Sequence, residues 1–334
     1  MDSVSQIALG AAVGIAAMGR RTAVWKAALW GAVAGTLPDL DVLVDHGDPI
    51  ANMVQHRAES HAPFWLTLAS LPMAAAVAKL HGEWPIWRRW WLAIWLALVT
   101  HPLLDAMTVY GTRLGLPFTD RPVGVGSVFI IDPLYTLPLL AGVGWALAGK
   151  GSLRGMRANA AGLVMSTAYL AWGFAAQQHV ERIARASLAE RGVAYERLLV
   201  TPAAFSSLLW RVVAVGADEF HEGFYSLNDA EPRIAFDRFA RGMALAPEVQ
   251  GLTGVQQLAA FSKGFYKLQQ DGALVVVADL RMGQEPGYVF TFEVPRGADG
   301  QAATPRQIGG RLDVGRGLRW LGPRILGEDL PPPR

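Results

Sequence analysis

Apolar residues fall into six runs along the first half of the chain: Val4 to Met18, Ala23 to Leu37, Ala62 to Leu80, Trp90 to Met107, Val128 to Ala148 and Ala158 to Ala176. A helix needs roughly 20 mainly apolar residues to cross a bilayer, and the last four runs meet or approach that length. The first two are shorter and rich in glycine and alanine, which suits close helix packing. They read either as thin or tilted spans or as a hairpin that dips into the bilayer and returns. The pattern predicts an α-helical multi-pass membrane domain of about six apolar helices over residues 1–178.

After Val180 the pattern changes. Val180 to Arg191 reads as a charged helical connector, while LLWRVVAVG (208–216), ALVVVADLR (273–281) and GYVFTFEVP (287–295) have the β-branched and aromatic composition of strands. EFHEGFYSL (219–227) alternates imperfectly with period two and predicts a hairpin with the preceding run across Ala217-Asp218. Residues 234–245 follow Pro232 without a further proline and read as a helix. These elements predict a smaller, extracytoplasmic α+β domain over 179–295. The glycines and Pro331-Pro332-Pro333 predict a loosely ordered tail over 296–334.

Charge assigns sidedness. Arg20, Arg21 and Lys26 follow the first run, Lys79, Arg88 and Arg89 the third, and Lys150, Arg154 and Arg157 the fifth, so these connections read as cytoplasmic. The connection from Thr36 to His61 carries five acidic residues against Arg57 and reads as outward-facing. Six crossings then place the segment after Val180 outside. Met1-Asp2-Ser3 carries no positive charge and Arg20-Arg21 follows the first run instead of preceding it, so that run reads as retained, not as a cleaved signal peptide.

Composition narrows the chemistry. The 334 residues are 52% hydrophobic and 17% charged, with a net charge of +2. No run of five like charges occurs, which argues against nucleic acid as a partner. Cysteine is absent, excluding disulfides, thiolate zinc sites and cysteine nucleophiles. Any metal must be held by histidine and carboxylate, a donor set for zinc, with manganese or iron as alternatives.

Of seven histidines, three lie at run ends on the predicted outer side. His56 and His61 stand in QHRAESH, His101 in THPLLD, and Asp39 and Asp41 in LPDLD. His101 and Asp105 are spaced i to i+4, so a helix that continues past Pro102 carries them on one face. Ionisable groups at such depth are expensive in lipid and usually face a bundle interior or a wet cavity. Asp39, His56, His61, His101 and Asp105 are the candidate metal ligands, Asp41 the candidate general base, and Arg57 the candidate clamp for an anionic substrate. Read singly, Asp39 and Asp41 are also what a proline-aspartate turn capping a helix requires, and His56 and His61 do not share a helix face. His46, His81, His179 and His221 read as surface residues, and Trp84, Trp87, Trp90 and Trp91 as an interfacial belt.

The ordered motifs MDSVSQIALGAAVG, GTLPDLDVL, HRAESHAPF, HPLLDAMTVYGTRLGLPF and FIIDPLYTLPLL resemble the membrane-bound metal-dependent hydrolases of the YdjM-like type. The likeness runs from Met1 to about Leu140 and continues more weakly through WRVV (210–213) and VADLRMG (277–283). The resemblance implies a bacterial inner-membrane protein in which Asp39, Asp41, His56, His61, His101 and Asp105 carry the site. Two positions depart from the family pattern: Gln6 stands where the family has a histidine, and Ser60-His61-Ala62 replaces its THS. A more distant similarity to zinc-dependent phospholipase C suggests lipid phosphoesters. The function so implied is attack of a metal-activated water on an ester or phosphoester, with membrane lipid as partner and a small-molecule or lipid-like ester as substrate. The same His and Asp residues would also serve an ion or metal transporter, and a non-catalytic scaffold with a degenerate site is the third class.

Overall fold

A computed structural model describes residues 1–272, 274–295, 304–309 and 314–334. The chain divides into two compact units: residues Met1–Val44 with Arg57–Phe174, and Asp45–His56 with Ala175–Arg334. The helices of its first part are α1 (Ser3–Met18), α2 (Val24–Thr36), α3 (Pro49–Gln55), α4 (Pro63–Leu80), α5 (Trp87–Ala106), α6 (Pro133–Ala148) and α7 (Leu153–Glu190). α3 belongs to the second unit, and α7 runs from one unit into the other.

Each apolar run of the sequence forms a helix, but the expectation of about six membrane-crossing helices is overturned. Among the described residues only α4 is long and apolar enough to cross a membrane. α1 and α6 have 16 residues each, giving about 24 Å against a hydrocarbon core of about 30 Å. α2 has 13. α5 has 20 but opens on Arg88 and Arg89 and carries His101 and Asp105, and the 38 residues of α7 are diluted by Arg154, Arg157, Asn159 and Gln177. The sidedness deduced from six crossings, with an extracytoplasmic C-terminal domain, loses its basis with them.

Local chemistry starts and stops these helices. The Asp2 side chain caps α1 by accepting from the amides of Val4 and Ser5, and Asp132 caps α6 ahead of Pro133 at its first turn. α1 and α2 cross at glycines: a Cβ at Gly10 would lie 2.3 Å from the Gly31 carbonyl oxygen, and one at Gly31 would lie 2.2 Å from that of Gly10. α4 and α5 are joined by indoles, Trp91 donating to Ser70 Oγ and Trp95 to Thr67 Oγ1, each at 2.9 Å.

The second unit is β-rich. Strands β1 (Arg197–Pro202), β2 (Leu209–Val215), β3 (Glu219–Ser226) and β4 (Phe236–Ala240) form an antiparallel meander. The expected hairpin is the β2–β3 pair. Ala176, Val180, Ala184 and Leu188 of α7 share a core with Trp210, Val212 and Tyr225. The helix expected over 234–245 is strand β4 instead. Beyond it Gly242 turns the chain at φ 70°, where a Cβ would lie 2.0 Å from the Leu268 carbonyl oxygen, and only the 3-10 turn Met243–Leu245 within the predicted range is helical.

After the short helices α8 (Ala246–Val249) and α9 (Thr253–Phe261) come β5 (Tyr266–Asp271), β6 (Leu274–Asp279), β7 (Gly283–Gln284), β8 (Gly287–Tyr288), β9 (Thr291–Pro295) and β10 (Arg306–Gln307). β10, β9, β6 and β5 make a second sheet in that order, and β7 pairs with β8. Of the expected loose tail, 296–303 and 310–313 lie outside the described residues, while α10 (Val314–Ile325) is helical. It seats Trp320 edge-on against Phe224.

Candidate metal centre

Three segments of the first unit bring four donors together. Pro38 ends α2 and starts a 3-10 turn, Leu37–Leu43, that carries Asp39 and Asp41. A second 3-10 turn, Glu59–His61, delivers His61 just ahead of Pro63 and α4. α5 continues through Pro102, so His101 and Asp105 stand one turn apart on one face.

Asp39, His61, His101 and Asp105 each offer one ligand atom to a group whose members all lie within 4.8 Å of one another. Nε2 of His61 and Nε2 of His101 are 3.1 Å apart. Nε2 of His61 lies 3.4 Å from Asp39 Oδ1 and 3.3 Å from Asp105 Oδ2, and Nε2 of His101 is 3.4 Å from each. Ligands about 2.0–2.2 Å from a tetrahedral centre stand about 3.3–3.6 Å from each other, so these spacings fit a zinc-sized cation. The side chains of His61, His101 and Asp105 have no exposure, whereas that of Asp39 keeps 24%, which makes the Asp39 edge the open one.

The surrounding groups set which atoms face the centre. Nδ1 of His101 lies 2.7 Å from the Gly35 carbonyl oxygen, which can only accept, so Nδ1 carries a proton and Nε2 is the ring nitrogen turned toward the other donors. On His61, Nδ1 is 2.8 Å from Ser60 Oγ, and Ser60 Oγ donates to Asp41 Oδ2 at 2.6 Å. The Arg57 amide donates to the same Asp41 oxygen at 2.9 Å. Asp41 and Ser60 therefore hold the far side of the His61 ring. Oδ1 of Asp105 accepts from Gln6 Nε2 at 3.1 Å and from the Met1 amine, while its wholly buried Oδ2 faces the Nε2 atoms of both histidines and Arg57 Nε at 3.3–3.4 Å. Such an oxygen is costly to bury unless a cation meets it.

Arg57 is 3% exposed and adopts φ 66°. Its Nε lies 3.3 Å from Asp105 Oδ2, Nη1 donates to Thr108 Oγ1 at 3.3 Å, and the guanidinium sits 4.8 Å over the Tyr110 ring. His56 caps the C-terminus of α3, belongs to the second unit and is not among the four grouped donors. Ser60, Gly35 and Thr108 carried no signal of their own in the sequence; adjacency to His61 was the one available for Ser60. Among the histidines read as surface residues, His81 accepts from the Trp30 indole at 2.8 Å and His221 is buried within β3. Trp90 is likewise buried, its indole on Glu83.

Charge is tuned toward cation capture. Burial works against the charged form of His61, but hydrogen bonds to Asp105, Asp39 and Asp41 outweigh it and push its pKa up to about 9. Burial would likewise raise Asp39, but the hydrogen bonds from His101 and His61 hold it well below the usual carboxylate range. Protonation of His61 thus stabilises the metal-free chain below its unfolded value of 6.5, and this contribution is lost as pH rises through about 9. A metal must displace that proton, whereas Asp39 is already ionised. Metal affinity measured by chelator competition is expected to rise about tenfold per pH unit from pH 6.5 to 8.5; a pH-independent affinity would show that His61 is not a ligand. Ser60→Ala and Asp41→Asn are each expected to weaken metal binding about 10–100-fold in the same assay, by freeing the His61 ring.

A family model described as YdjM inner membrane protein matches residues 1–180. Among curated proteins, uncharacterized protein YfhP of Bacillus subtilis (strain 168) is 26% identical over 159 residues, 45% of this chain and 47% of that protein. The chain thus spans about half the length of the curated relative it matches. No solved structure matches.

Proposed function

Because the chain belongs to the YdjM inner membrane protein family, we propose that it is a metal-dependent hydrolase of the inner membrane that cleaves an ester or phosphoester in a lipid-like substrate. The observation that supports this most is the closure of Asp39, His61, His101 and Asp105 into one group, with the two Nε2 atoms 3.1–3.4 Å from each other and from both carboxylates. Zinc suits these donors best, with manganese or iron as alternatives. A divalent cation bound there supplies Lewis acidity and a water acidified toward neutrality.

The chain's own residues do the rest. His61 and His101 are fixed in the tautomer that turns Nε2 inward. Asp39, the one donor of the four whose side chain keeps exposure, marks the edge at which water and substrate reach the group. Asp41 orients His61, since its Oδ2 already accepts from Ser60 and the Arg57 amide. Arg57 holds positive charge beside the group, where it meets an anionic leaving group or phosphoryl oxygen. A lipid-like substrate is favoured by exposed apolar side chains on the segment that follows His61: Phe64 packs edge-on against the exposed Phe118, and Trp65 and Leu68 face outward.

Metal analysis of the detergent-purified protein, followed by a panel of phosphodiester, phosphomonoester, carboxylester and phospholipid substrates, tests the reading. Turnover that requires bound metal and disappears in Asp39→Asn is expected. Metal-loaded protein that cleaves none of the panel would overturn it.

A further inference from the structure

The second unit holds a guanidinium in a slot that the metal centre does not use. Glu222 of β3 is fully buried, and its Oε2 accepts from Arg211 Nε at 2.7 Å. Its Oε1 accepts from Arg334 Nη1, which also donates to the Glu285 carbonyl oxygen at 3.0 Å. Nη2 of Arg334 donates to Asp237 Oδ2 at 2.6 Å, and the guanidinium lies 4.8 Å over the Phe239 ring. Two carboxylates, a carbonyl and an aromatic face thus surround one planar cation, and a fork of donors satisfies all of them at once.

The segment that brings Arg334 there is Glu328-Asp329-Leu330-Pro331-Pro332-Pro333-Arg334. Three successive prolines favour the extended polyproline conformation, which costs little entropy to dock. Apart from Arg334, the bonds that seat it run to main-chain carbonyls: the Gln284 side chain donates to Pro333 O at 3.2 Å and the Trp320 indole to Leu330 O at 3.2 Å. None of its side chains enters an apolar core cluster among the described residues. Asp329 to Pro332 line a cavity of about 800 Å³ together with Glu222, Gly223 and Ala235. The segment is therefore seated by one charged anchor and not packed as part of the core.

We propose that the slot formed by Glu222, Asp237, Glu285 and Phe239 is a recognition site for a proline-rich peptide bearing an arginine, loaded in cis by the chain's own 328–334 segment. Tethering keeps the local concentration of the resident segment near the millimolar range, so an external peptide competes only once the resident arginine is removed. The site discriminates through the guanidinium, and the prolines supply extended shape.

The test uses the full chain and a fluorescein-labelled peptide, EDLPPPR, read by fluorescence anisotropy. The native chain is expected to show no binding at micromolar peptide, whereas R334A binds it. Adding D237N to R334A, or replacing the peptide's arginine by alanine, is expected to weaken binding about tenfold or more. R334A protein with native circular dichroism and thermal unfolding that fails to bind the peptide overturns the proposal. So does equal binding by the native chain and R334A.

Discussion

His101→Ala is expected to strip the protein of tightly held metal, with affinity falling by more than the roughly 100-fold that changes behind a ligand produce. The wild-type ring is fully buried, anchored through Nδ1 to the Gly35 carbonyl, and it contributes three of the 3.1–3.4 Å spacings that define the group. Alanine leaves three donors and opens the centre to water on the α5 side. His56→Ala is the informative companion. Its side chain is outside the four-donor group, so metal content should stay at the wild-type level. Metal content after dialysis and competition against a chromophoric chelator check both. Wild-type metal retention by His101→Ala would falsify the assignment, and a matching loss in His56→Ala would restore the fifth ligand suggested by the sequence.

The contrast between these two histidines shows what the sequence could disclose. His101 and Asp105 were legible because i to i+4 spacing is local helical geometry, and α5 keeps it through Pro102. Asp39 and Asp41 were legible as a pair, but not as donors on opposite sides of one ring. That division depends on a 3-10 turn whose short repeat sets Asp39 against His61 Nε2 and Asp41 against Nδ1. Between His56 and His61 the sequence offered no choice. The left-handed backbone of Arg57 turns the chain between them, and only His61 enters the centre. The Gly35 carbonyl had no sequence signature, because any residue supplies a carbonyl.

At the level of fold, the apolar runs located α1, α2, α4, α5, α6 and the body of α7, missed the short α3, and overstated what the helices span. Run length was counted across residues that the structure assigns to turns: the second run was taken to Leu37, but α2 stops at Thr36 and a 3-10 turn begins there. In the second unit, composition found β2, β3, β6 and β9. It missed β4, since Phe236 and Phe239 sit in a strand whose pairing with β3 is fixed by partners distant in sequence. Asp237 of that strand then reaches Arg334, a contact spanning nearly a hundred residues that no local pattern encodes.

Gly31→Val is expected to be the most damaging single change in the first unit, because fold and site share that crossing. The Gly10 and Gly31 backbones meet so closely that a Cβ on either falls 2.2–2.3 Å from the other's carbonyl oxygen, and one on Gly14 falls 2.4 Å from that of Ala27. The obstructing atoms are helix backbone, which cannot rotate away as a side-chain tip can. α1 and α2 must separate, at a cost of about 3 kcal/mol or more, the upper range for overpacking. Separation also moves Gln6, which donates to Asp105, and the Gly35 carbonyl, which fixes the His101 tautomer. Loss of stability should therefore be accompanied by loss of metal, although Gly31 touches no ligand. Gly144→Ala in α6 separates a steric effect from a general intolerance of helix substitution: a Cβ there meets nothing within 4 Å, so a gain of about 0.5–1 kcal/mol is expected from helix propensity. Denaturant unfolding of the detergent-solubilised chain, followed by tryptophan fluorescence with metal content measured on the same samples, distinguishes the two. If Gly31→Val unfolds with the wild-type midpoint, the α1–α2 crossing is not the contact on which the centre depends.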